Sequence, residues 1–144
     1  MTQFTVLVTD DDQDIRDGIE IYLKNEGYRV LKAENGEKAI ELLESNEVHV
    51  IILDIMMPRL DGISATFKIR EQRNIPIIML SAKAEDSDKI HGLSVGADDY
   101  VTKPFHPMEL VARVKSQLRR YVSLGTYQDK SQRIEIDGLV LDSD

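Results

Sequence analysis

Four consecutive apolar residues, VIIL at positions 50–53, end on a single carboxylate, Asp54. An apolar run this short favours a strand, and a strand without polar alternation is typical of a parallel sheet covered on both faces. Parallel strands need long crossover connections, so such a chain must alternate strands with helices. A charge at the end of the run is expected where the sheet meets water.

The rest of the sequence has this alternation. Apolar runs predict five strands, at residues 4–8, 28–33, 48–53, 75–80 and 98–101. Helical spacing predicts a helix through 15–23 that Gly27 ends, and further helices over 38–45, 63–72, 86–95 and 107–121. We therefore expect an α/β fold: a doubly wound, five-stranded parallel sheet in the order 2-1-3-4-5, with helices on both faces.

Composition limits the classes of function. The 144 residues carry a net charge of −8, which argues against this chain gripping nucleic acid by its phosphates and favours a cation or a basic partner. With no cysteine, disulfides, thiolate nucleophiles and cysteine-based metal sites are excluded. No transmembrane run or signal peptide is apparent, so we expect a cytoplasmic protein with no membrane partner.

The pattern changes near the C-terminus. Residues 1–121 are predicted to form one domain, and the polar, aperiodic residues 122–133 a linker. Residues 134–144 contain IEIDGLVLD, a hairpin signal with a turn at Asp137-Gly138. Because a lone hairpin is marginal in water, we expect it to open a second domain that this chain does not contain.

Polar side chains follow four of the predicted strands. Asp10, Asp11 and Asp12 follow the first strand, Asp54 the third, Ser81 the fourth and Lys103 the fifth. The carboxyl ends of parallel strands share one edge of a sheet, where ligands bind in open α/β folds. The sequence therefore predicts a cleft that holds carboxylates, a hydroxyl and an amine.

Each of these side chains also has an ordinary structural explanation. Aspartates before a helix are often N-caps, although only one of residues 10–12 can fill that role. Asp54 could open a loop, Ser81 could be a turn hydroxyl and Lys103 a solvated lysine. Tyr100 could be a half-buried core aromatic. None of these explanations accounts for the convergence on one edge.

Clustered carboxylates repel one another unless a cation is present, and Mg²⁺ prefers oxygen ligands. Beside Mg²⁺, Asp54 would be a carboxylate nucleophile able to accept a phosphoryl group. The cation and Lys103 would neutralise charge on the phosphoryl oxygens, and Ser81 could hydrogen-bond one of them. The edge is therefore suited to phosphoryl transfer.

The segments VTDDD, LDIMMPRLDG, MLSA and GADDYVTKPF resemble the defining segments of the receiver domain of two-component response regulators. The resemblance extends over residues 4–121 in the same order and spacing. It implies a flavodoxin/CheY-like fold and a regulatory switch that a histidine kinase phosphorylates. Such a switch is not an enzyme in the usual sense, because it catalyses only its own phosphoryl transfer and dephosphorylation.

The resemblance also implies roles for single residues. Asp54 is the phosphoacceptor. Asp11 and Asp54 coordinate Mg²⁺ directly, Asp10 acts largely through water, and Met56 offers its backbone carbonyl.

Three more roles follow from the resemblance. Ser81 takes the switch hydroxyl position, Tyr100 the switch aromatic position, and Lys103 is the phosphate-binding lysine, with a bond to Pro104 that is usually cis. Two departures are small: Thr9 replaces an aliphatic residue, and Ser81 replaces the commoner threonine.

A narrower resemblance covers residues 89–120, KIHGLSVGADDYVTKPFHPMELVARVKSQLRR, which are similar to the OmpR/PhoB class and especially to VanR-type vancomycin-resistance regulators. It implies a homodimer, favoured by phosphorylation, through the fourth helix, fifth strand and fifth helix. The ion pairs expected between subunits are Lys89 with Glu109, Asp99 with Arg113, and Asp98 with Lys115 or Arg120. These charges could also be merely a solvated face. The class binds promoter DNA through a winged-helix domain, which this chain would only begin.

Three alternatives remain open. A haloacid dehalogenase-type phosphohydrolase also uses an aspartyl phosphate, but it needs a second acid where this chain has Met56. A flavodoxin-like cofactor binder needs a hydroxyl- and glycine-rich loop where this chain has three aspartates at 10–12. A stand-alone receiver is disfavoured by the linker and the incomplete hairpin.

Overall fold

The computed structural model describes residues 3–82 and 96–123, which form a parallel sheet with helices on both faces. The strands are β1 (Thr5–Thr9), β2 (Arg29–Ala33), β3 (Val50–Asp54), β4 (Ile77–Ala82) and β5 (Asp99–Lys103). The described helices are α1 (Gln13–Asn25), α2 (Gly36–Ser45), α3 (Gly62–Arg70) and α4 (Pro107–Ser123). The helix predicted over 86–95, the linker beyond residue 123 and the hairpin lie outside the described residues.

The sheet order is β2-β1-β3-β4-β5 with every neighbouring pair parallel, which confirms the predicted topology. The apolar run that predicted a doubly covered strand is β3, and all five of its residues are buried. By contrast β2, at the edge, exposes Arg29 and Lys32. All five residues of β1 are buried as well, so Asp54 ends one fully buried strand and Asp10 directly follows another.

Two hydrophobic clusters fill the layers on either side of the sheet. One lies under α2 and α3 and includes Leu7, Ile51 and Leu53 from the strands. The other lies under α1 and α4 and includes Val8 and Ile52. Alternate residues of β1 and β3 therefore point to opposite layers, as strand geometry requires.

Local signals begin and end the helices. Asp12, Asn35 and Asp61 are N-caps whose side chains accept hydrogen bonds from the first turns of α1, α2 and α3. After α1, Gly27 has a φ of 90°, a conformation that favours glycine. Because Asp12 is the N-cap of α1, Asp10 and Asp11 do not cap this helix. No helix in these described ranges is long and apolar enough to cross a bilayer.

Four predicted strands were too short at their carboxyl ends. The predictions stopped at residues 8, 53, 80 and 101, whereas β1, β3, β4 and β5 continue to Thr9, Asp54, Ala82 and Lys103. The apolar pattern ends before the hydrogen-bonded ladder does, because polar side chains can occupy the last ladder positions where the sheet meets water. Asp54 and Ser81 are therefore strand residues, and the prediction that they follow their strands was wrong.

Candidate functional site

The strand ends bring the predicted polar side chains to one edge. Asp54 is the last residue of β3 and lies opposite Leu80 of β4, while Ser81 lies opposite Thr102 of β5. Asp10 follows β1 directly, and its N–H donates to the carbonyl oxygen of Ala33. The positions of these residues are therefore held by backbone bonds of the sheet.

Three carboxylates meet at this edge. Asp10, Asp11 and Asp54 each offer a ligand atom, and these atoms lie within 4.8 Å of one another. Asp10 is fully buried and Asp54 is 5% exposed, whereas Asp11 is exposed. The Oδ1 atom of Asp10 also accepts a hydrogen bond from the N–H of Asp12 at 3.0 Å. The cluster therefore has two buried members and one member open to solvent.

Lys103 provides the positive charge of the site. Its Nζ lies 2.9 Å from Oδ2 of Asp10 and 3.3 Å from Oδ2 of Asp54. The Lys103-Pro104 peptide bond is cis, in agreement with the expectation from the sequence. One lysine thus balances two buried carboxylates, and one negative charge among them remains unbalanced.

This imbalance affects the titration of the acceptor candidate. Burial, together with the nearby charge of Asp10, raises the pKa of Asp54 to about 6, even though Lys103 and the Met56 N–H oppose the change. Burial alone would lower the pKa of Lys103, but the hydrogen bond to Asp10 and the charge of Asp54 outweigh it, so its pKa is raised. The lysine therefore stays charged while the carboxylates favour an added cation.

The donor set fits Mg²⁺. A hard cation takes carboxylate and carbonyl oxygens while keeping several waters. Asp10, Asp11 and Asp54 supply carboxylate oxygens, and exposed Asp11 leaves the site open to water. Neutralising a cluster whose repulsion already raises the pKa of Asp54 is electrostatically favourable.

Two further predicted residues lie beside the cluster. Ser81 is fully buried, and its Oγ has no hydrogen-bond partner among the residues that the structure describes. A buried hydroxyl without a partner is destabilising, so it needs an explanation. Tyr100 is partly buried and packs against the cluster under α2 and α3. Its position agrees with the simple core explanation as well as with a switch role.

The predicted dimer charges make contacts within one chain. Arg113 contacts Asp99 at 2.7 Å and Glu109 at 3.6 Å. Lys115 contacts Glu26 of α1 at 2.6 Å. Arg120 is exposed on α4, and Lys89 lies outside the described residues.

Asp98 is held more firmly than the other charges of this set. Its Oδ2 accepts hydrogen bonds from Nη2 of Arg70 at 2.6 Å and from the N–H of Ile77 at 2.9 Å. Arg70 also donates to the carbonyl oxygens of Gly96 and Ile75. Asp98 therefore fastens the start of β4, and a contact with another subunit would have to compete with these bonds.

Sequence reasoning missed several neighbours of the site. Arg16 donates to the carbonyl oxygen of Asp10 at 2.7 Å, and Gly62 lies so close to Asp54 that a Cβ there would collide with the Asp54 carbonyl oxygen. The glycine in LDG was a visible signal for a close backbone approach. Nothing in the local pattern marks Arg16, because it lies on α1, six positions after the residue that it contacts.

Comparison with known proteins identifies the family. Residues 6–115 match the model of the response regulator receiver domain. The chain is 45% identical to the regulatory protein VanR of Enterococcus faecium over 137 residues, 94% of this chain and 59% of the relative. It is 46% identical to VanRc of Enterococcus gallinarum, covering 94% of this chain and 60% of the relative. These identities confirm the resemblance to VanR-type regulators.

A more distant relative and two solved structures agree. The transcriptional regulatory protein SrrA of Staphylococcus aureus is 42% identical, with 96% of this chain and 59% of the relative covered. The receiver domain of the Francisella response regulator 1452 superimposes with a TM-score of 0.77 at 42% identity, over 82% of this chain and 98% of that one. A CheY-like receiver domain protein from Methanospirillum hungatei has a TM-score of 0.81 at 26% identity, over 86% of this chain and all of the other.

The chain spans about 59–60% of the length of the Enterococcus relatives. The matched family model nevertheless covers residues 6–115, which include the carboxylate cluster and Lys103. On sequence and on fold alike, this protein belongs to the family of response regulator receiver domains.

Proposed function

We propose that this protein is a phosphorylation-dependent switch of the cytoplasm that accepts a phosphoryl group from a histidine kinase on Asp54. The observation that carries the proposal is the surroundings of this carboxylate. Asp54 is nearly buried at the sheet edge, 3.3 Å from the Lys103 amine and within a cluster of three carboxylates. A nucleophile, a fixed positive charge and a cation-binding set thus occupy one place.

In the proposed reaction, a carboxylate oxygen of Asp54 attacks the phosphorus of the kinase phosphohistidine. A P–O bond forms and the P–N bond breaks, leaving its electron pair on the imidazole nitrogen. Lys103 supplies a preorganised positive charge for the phosphoryl oxygens. Asp11, Asp54 and the Met56 carbonyl would hold Mg²⁺, with Asp10 acting largely through water, and the cation would supply further neutralising charge.

The orphan hydroxyl of Ser81 supports the proposed switch. Its Oγ is buried and has no hydrogen-bond partner in the described ranges 3–82 and 96–123, and a phosphoryl oxygen on Asp54 would give it one. Movement of Ser81 toward that oxygen would leave room for Tyr100 to turn inward. The phosphoryl group then shifts an existing equilibrium, because it favours the state in which these bonds form.

The longer relatives motivate the rest of the proposal. We infer that residues 1–121 form the receiver domain, residues 122–133 a linker, and residues 134–144 the start of a winged-helix DNA-binding domain. Phosphorylation would favour a homodimer through the surface that includes Asp99, Glu109 and Arg113, and two DNA-binding domains would then engage paired half-sites of promoter DNA. Asp98 pairs with Arg70 and Lys115 with Glu26, neither of which is its predicted partner. Asp99 and Arg113 already pair with each other, so both could exchange to the partner subunit without leaving either charge unpaired. That pair is therefore the best candidate for exchange between subunits.

Intact-mass spectrometry after incubation with acetyl phosphate tests the acceptor. The wild type is expected to gain one phosphoryl group in the presence of Mg²⁺, and Asp54→Asn is expected to gain none. Asp61→Asn is the matched control, because Asp61 is also an aspartate and lies in the segment between β3 and α3, but its side chain caps α3. Phosphorylation of Asp54→Asn at the wild-type rate would disprove the assignment.

The dimer is tested separately by sedimentation of the phosphorylated protein. Asp99→Arg is expected to prevent the increase in mass that phosphorylation causes, while Glu47→Arg, an exposed position in the connection between α2 and β3, is expected to leave it intact. If Asp99→Arg still dimerises like the wild type, the proposed surface is wrong and the acceptor assignment is unaffected.

A further inference from the structure

The loop between β3 and α3, residues 55–61, is supported from the side by the first turn of α2. The N–H of Gly36 donates to the carbonyl oxygen of Leu60 at 3.2 Å. The guanidinium of Arg59 donates to Oε1 of Glu37, with Nε at 2.8 Å and Nη2 at 2.6 Å. This loop carries Met56, so α2 contacts the segment next to the proposed acceptor without reaching the acceptor itself.

Arg59 adopts a conformation that needs support. In the described ranges it is the residue other than glycine with a positive φ, 70°. A long side chain rarely adopts this region, and such residues persist where surrounding contacts determine them. Glu37 provides such a contact, since a planar guanidinium with two donors on one oxygen fixes direction as well as distance.

Two glycines allow close backbone contacts between the loop, α2 and the end of β3. A Cβ at Gly36 would lie 2.5 Å from the Leu60 carbonyl oxygen and 3.1 Å from the Cβ of Ala65. A Cβ at Gly62 would collide with the carbonyl oxygen of Asp54. Both ends of the loop are therefore in close backbone contact with their neighbours. Because both ends of the loop are packed this closely, a backbone displacement at Arg59 is expected to displace Met56 and Asp54 as well.

We propose that Glu37 and Arg59 are positioning residues, which set the affinity of the carboxylate site for Mg²⁺ by holding the loop that carries Met56. This inference rests on the proposed function, since it concerns the same site. The two residues touch neither the cation nor the phosphoryl group. Both side chains are more than half exposed, Arg59 at 65% and Glu37 at 55%, so the ion pair itself contributes little to global stability. The effect is geometric and local.

The test is a Mg²⁺ titration of the unphosphorylated protein, followed by amide chemical shifts, with thermal unfolding of the metal-free protein measured in parallel. Glu37→Gln and Arg59→Gln are expected to weaken Mg²⁺ binding about 3- to 10-fold while unfolding stays close to that of the control. The control is Glu41→Gln, which breaks the exposed Lys38–Glu41 pair (3.1 Å) on the same helix but does not touch the loop. Reversing both charges, Glu37→Arg with Arg59→Glu, is expected to restore a large part of the affinity.

The outcomes separate this inference from the proposed function. If the wild type binds Mg²⁺ at the carboxylates and Glu37→Gln binds it as tightly as Glu41→Gln does, the positioning role is overturned and the proposed function stands. If the wild type shows no Mg²⁺-dependent shifts around Asp11 and Asp54, the metal site of the proposed function is overturned and this inference falls with it. Equal losses of affinity and of thermal stability in Glu37→Gln would also overturn it, because they would indicate a general structural role.

Discussion

The sheet buries titratable groups where its strands begin and where they end, and these two places are called its amino edge and its carboxyl edge. The buried groups differ in how they are paired. At the amino edge, the N–H of Thr5 donates to Nδ1 of buried His49 at 3.0 Å, and the N–H of His49 donates to the carbonyl oxygen of Thr5 at 2.9 Å. The ring of Phe4 packs edge-on against His49 at 5.0 Å. At the carboxyl edge, Asp54 shares one lysine with another buried carboxylate.

Burial favours the neutral form at both edges, with different consequences at neutral pH. Burial lowers the pKa of His49, so this histidine is neutral near pH 7 and its unprotonated Nδ1 accepts the hydrogen bond from Thr5. Burial raises the pKa of Asp54 to about 6, so this carboxylate is charged near pH 7 although its surroundings destabilise the charged form. The amino edge therefore stabilises the fold, whereas the carboxyl edge keeps a reactive group at a cost in stability.

The largest expected effect is at the carboxyl edge, where Lys103→Met removes the shared cation. The rate of phosphorylation by acetyl phosphate should fall about 100-fold, as when a preorganised charge is lost from a reaction site. The pKa of Asp54 should rise further, so the remaining activity should increase toward higher pH. Intact-mass kinetics between pH 6 and pH 8 measure both changes. Lys24→Met, which breaks an exposed pair with Glu20, should change neither.

At the amino edge, His49→Ala should reduce stability by about 2–3 kcal/mol, since it leaves a cavity and an unsatisfied Thr5 N–H. Urea unfolding measures the loss, and phosphorylation of Asp54 in the folded variant should stay within twofold of the wild type. A large fall in phosphorylation would mean that the two edges are coupled. Glu47→Gln, an exposed neighbour of His49, should have little effect on either quantity.

The sign of the pH dependence should differ between the edges. The folded-state pKa of His49 lies below the ordinary histidine value of 6.5, so the stability it contributes is present above pH 6.5 and is lost as the pH falls below it. The folded-state pKa of Asp54 lies above the ordinary aspartate value of 3.8, so stability falls as the pH rises from 3.8 through about 6.

Asp54→Asn should therefore stabilise the metal-free protein at pH 8 by about 1–2 kcal/mol, less than the full shift implies because the attraction to Lys103 is also lost. The gain should shrink as the pH is lowered to 5. Urea unfolding at the two pH values measures it, with Asp17→Asn as an exposed control that pairs with Lys32. An equal gain at both pH values would contradict the raised pKa.

The smallest expected effects compare two buried hydroxyls, Ser81 and Thr9, for which the described part of the chain offers no hydrogen-bond partner. Ser81→Ala and Thr9→Val should each stabilise the unphosphorylated protein by up to about 1 kcal/mol, because each removes an unsatisfied polar atom. Phosphorylation should still change the amide spectrum of Thr9→Val as in the wild type. In Ser81→Ala that change should be reduced, and an equal response in both variants would remove the switch role from Ser81.

Sequence reasoning succeeded where the signal is local. The apolar runs, the helical spacing and the glycine after α1 are short-range features, and they predicted the order of elements and the edge at which Asp10, Asp54 and Lys103 meet. It failed at strand ends, because the ladder at Asp54 and Ser81 depends on a neighbouring strand. It also left Asp98 only as a possible contact between subunits, because its bond to Arg70 joins residues 28 positions apart.

The sequence by itself therefore determined the fold class, the strand order and the sheet edge at which the carboxylates gather, since periodicity and strand polarity are properties of the chain. That Asp10 and Asp11, rather than Asp12, join the acceptor came from the family resemblance. The tertiary structure alone decided that Lys103 balances two carboxylates, that Ser81 has no partner among the described residues, and that Arg59 is held by Glu37. Those features depend on the register between strands and on side-chain distances of a few ångströms. Burial and neighbouring charge act at that range, so the raised pKa of Asp54 arises only once the sheet has formed.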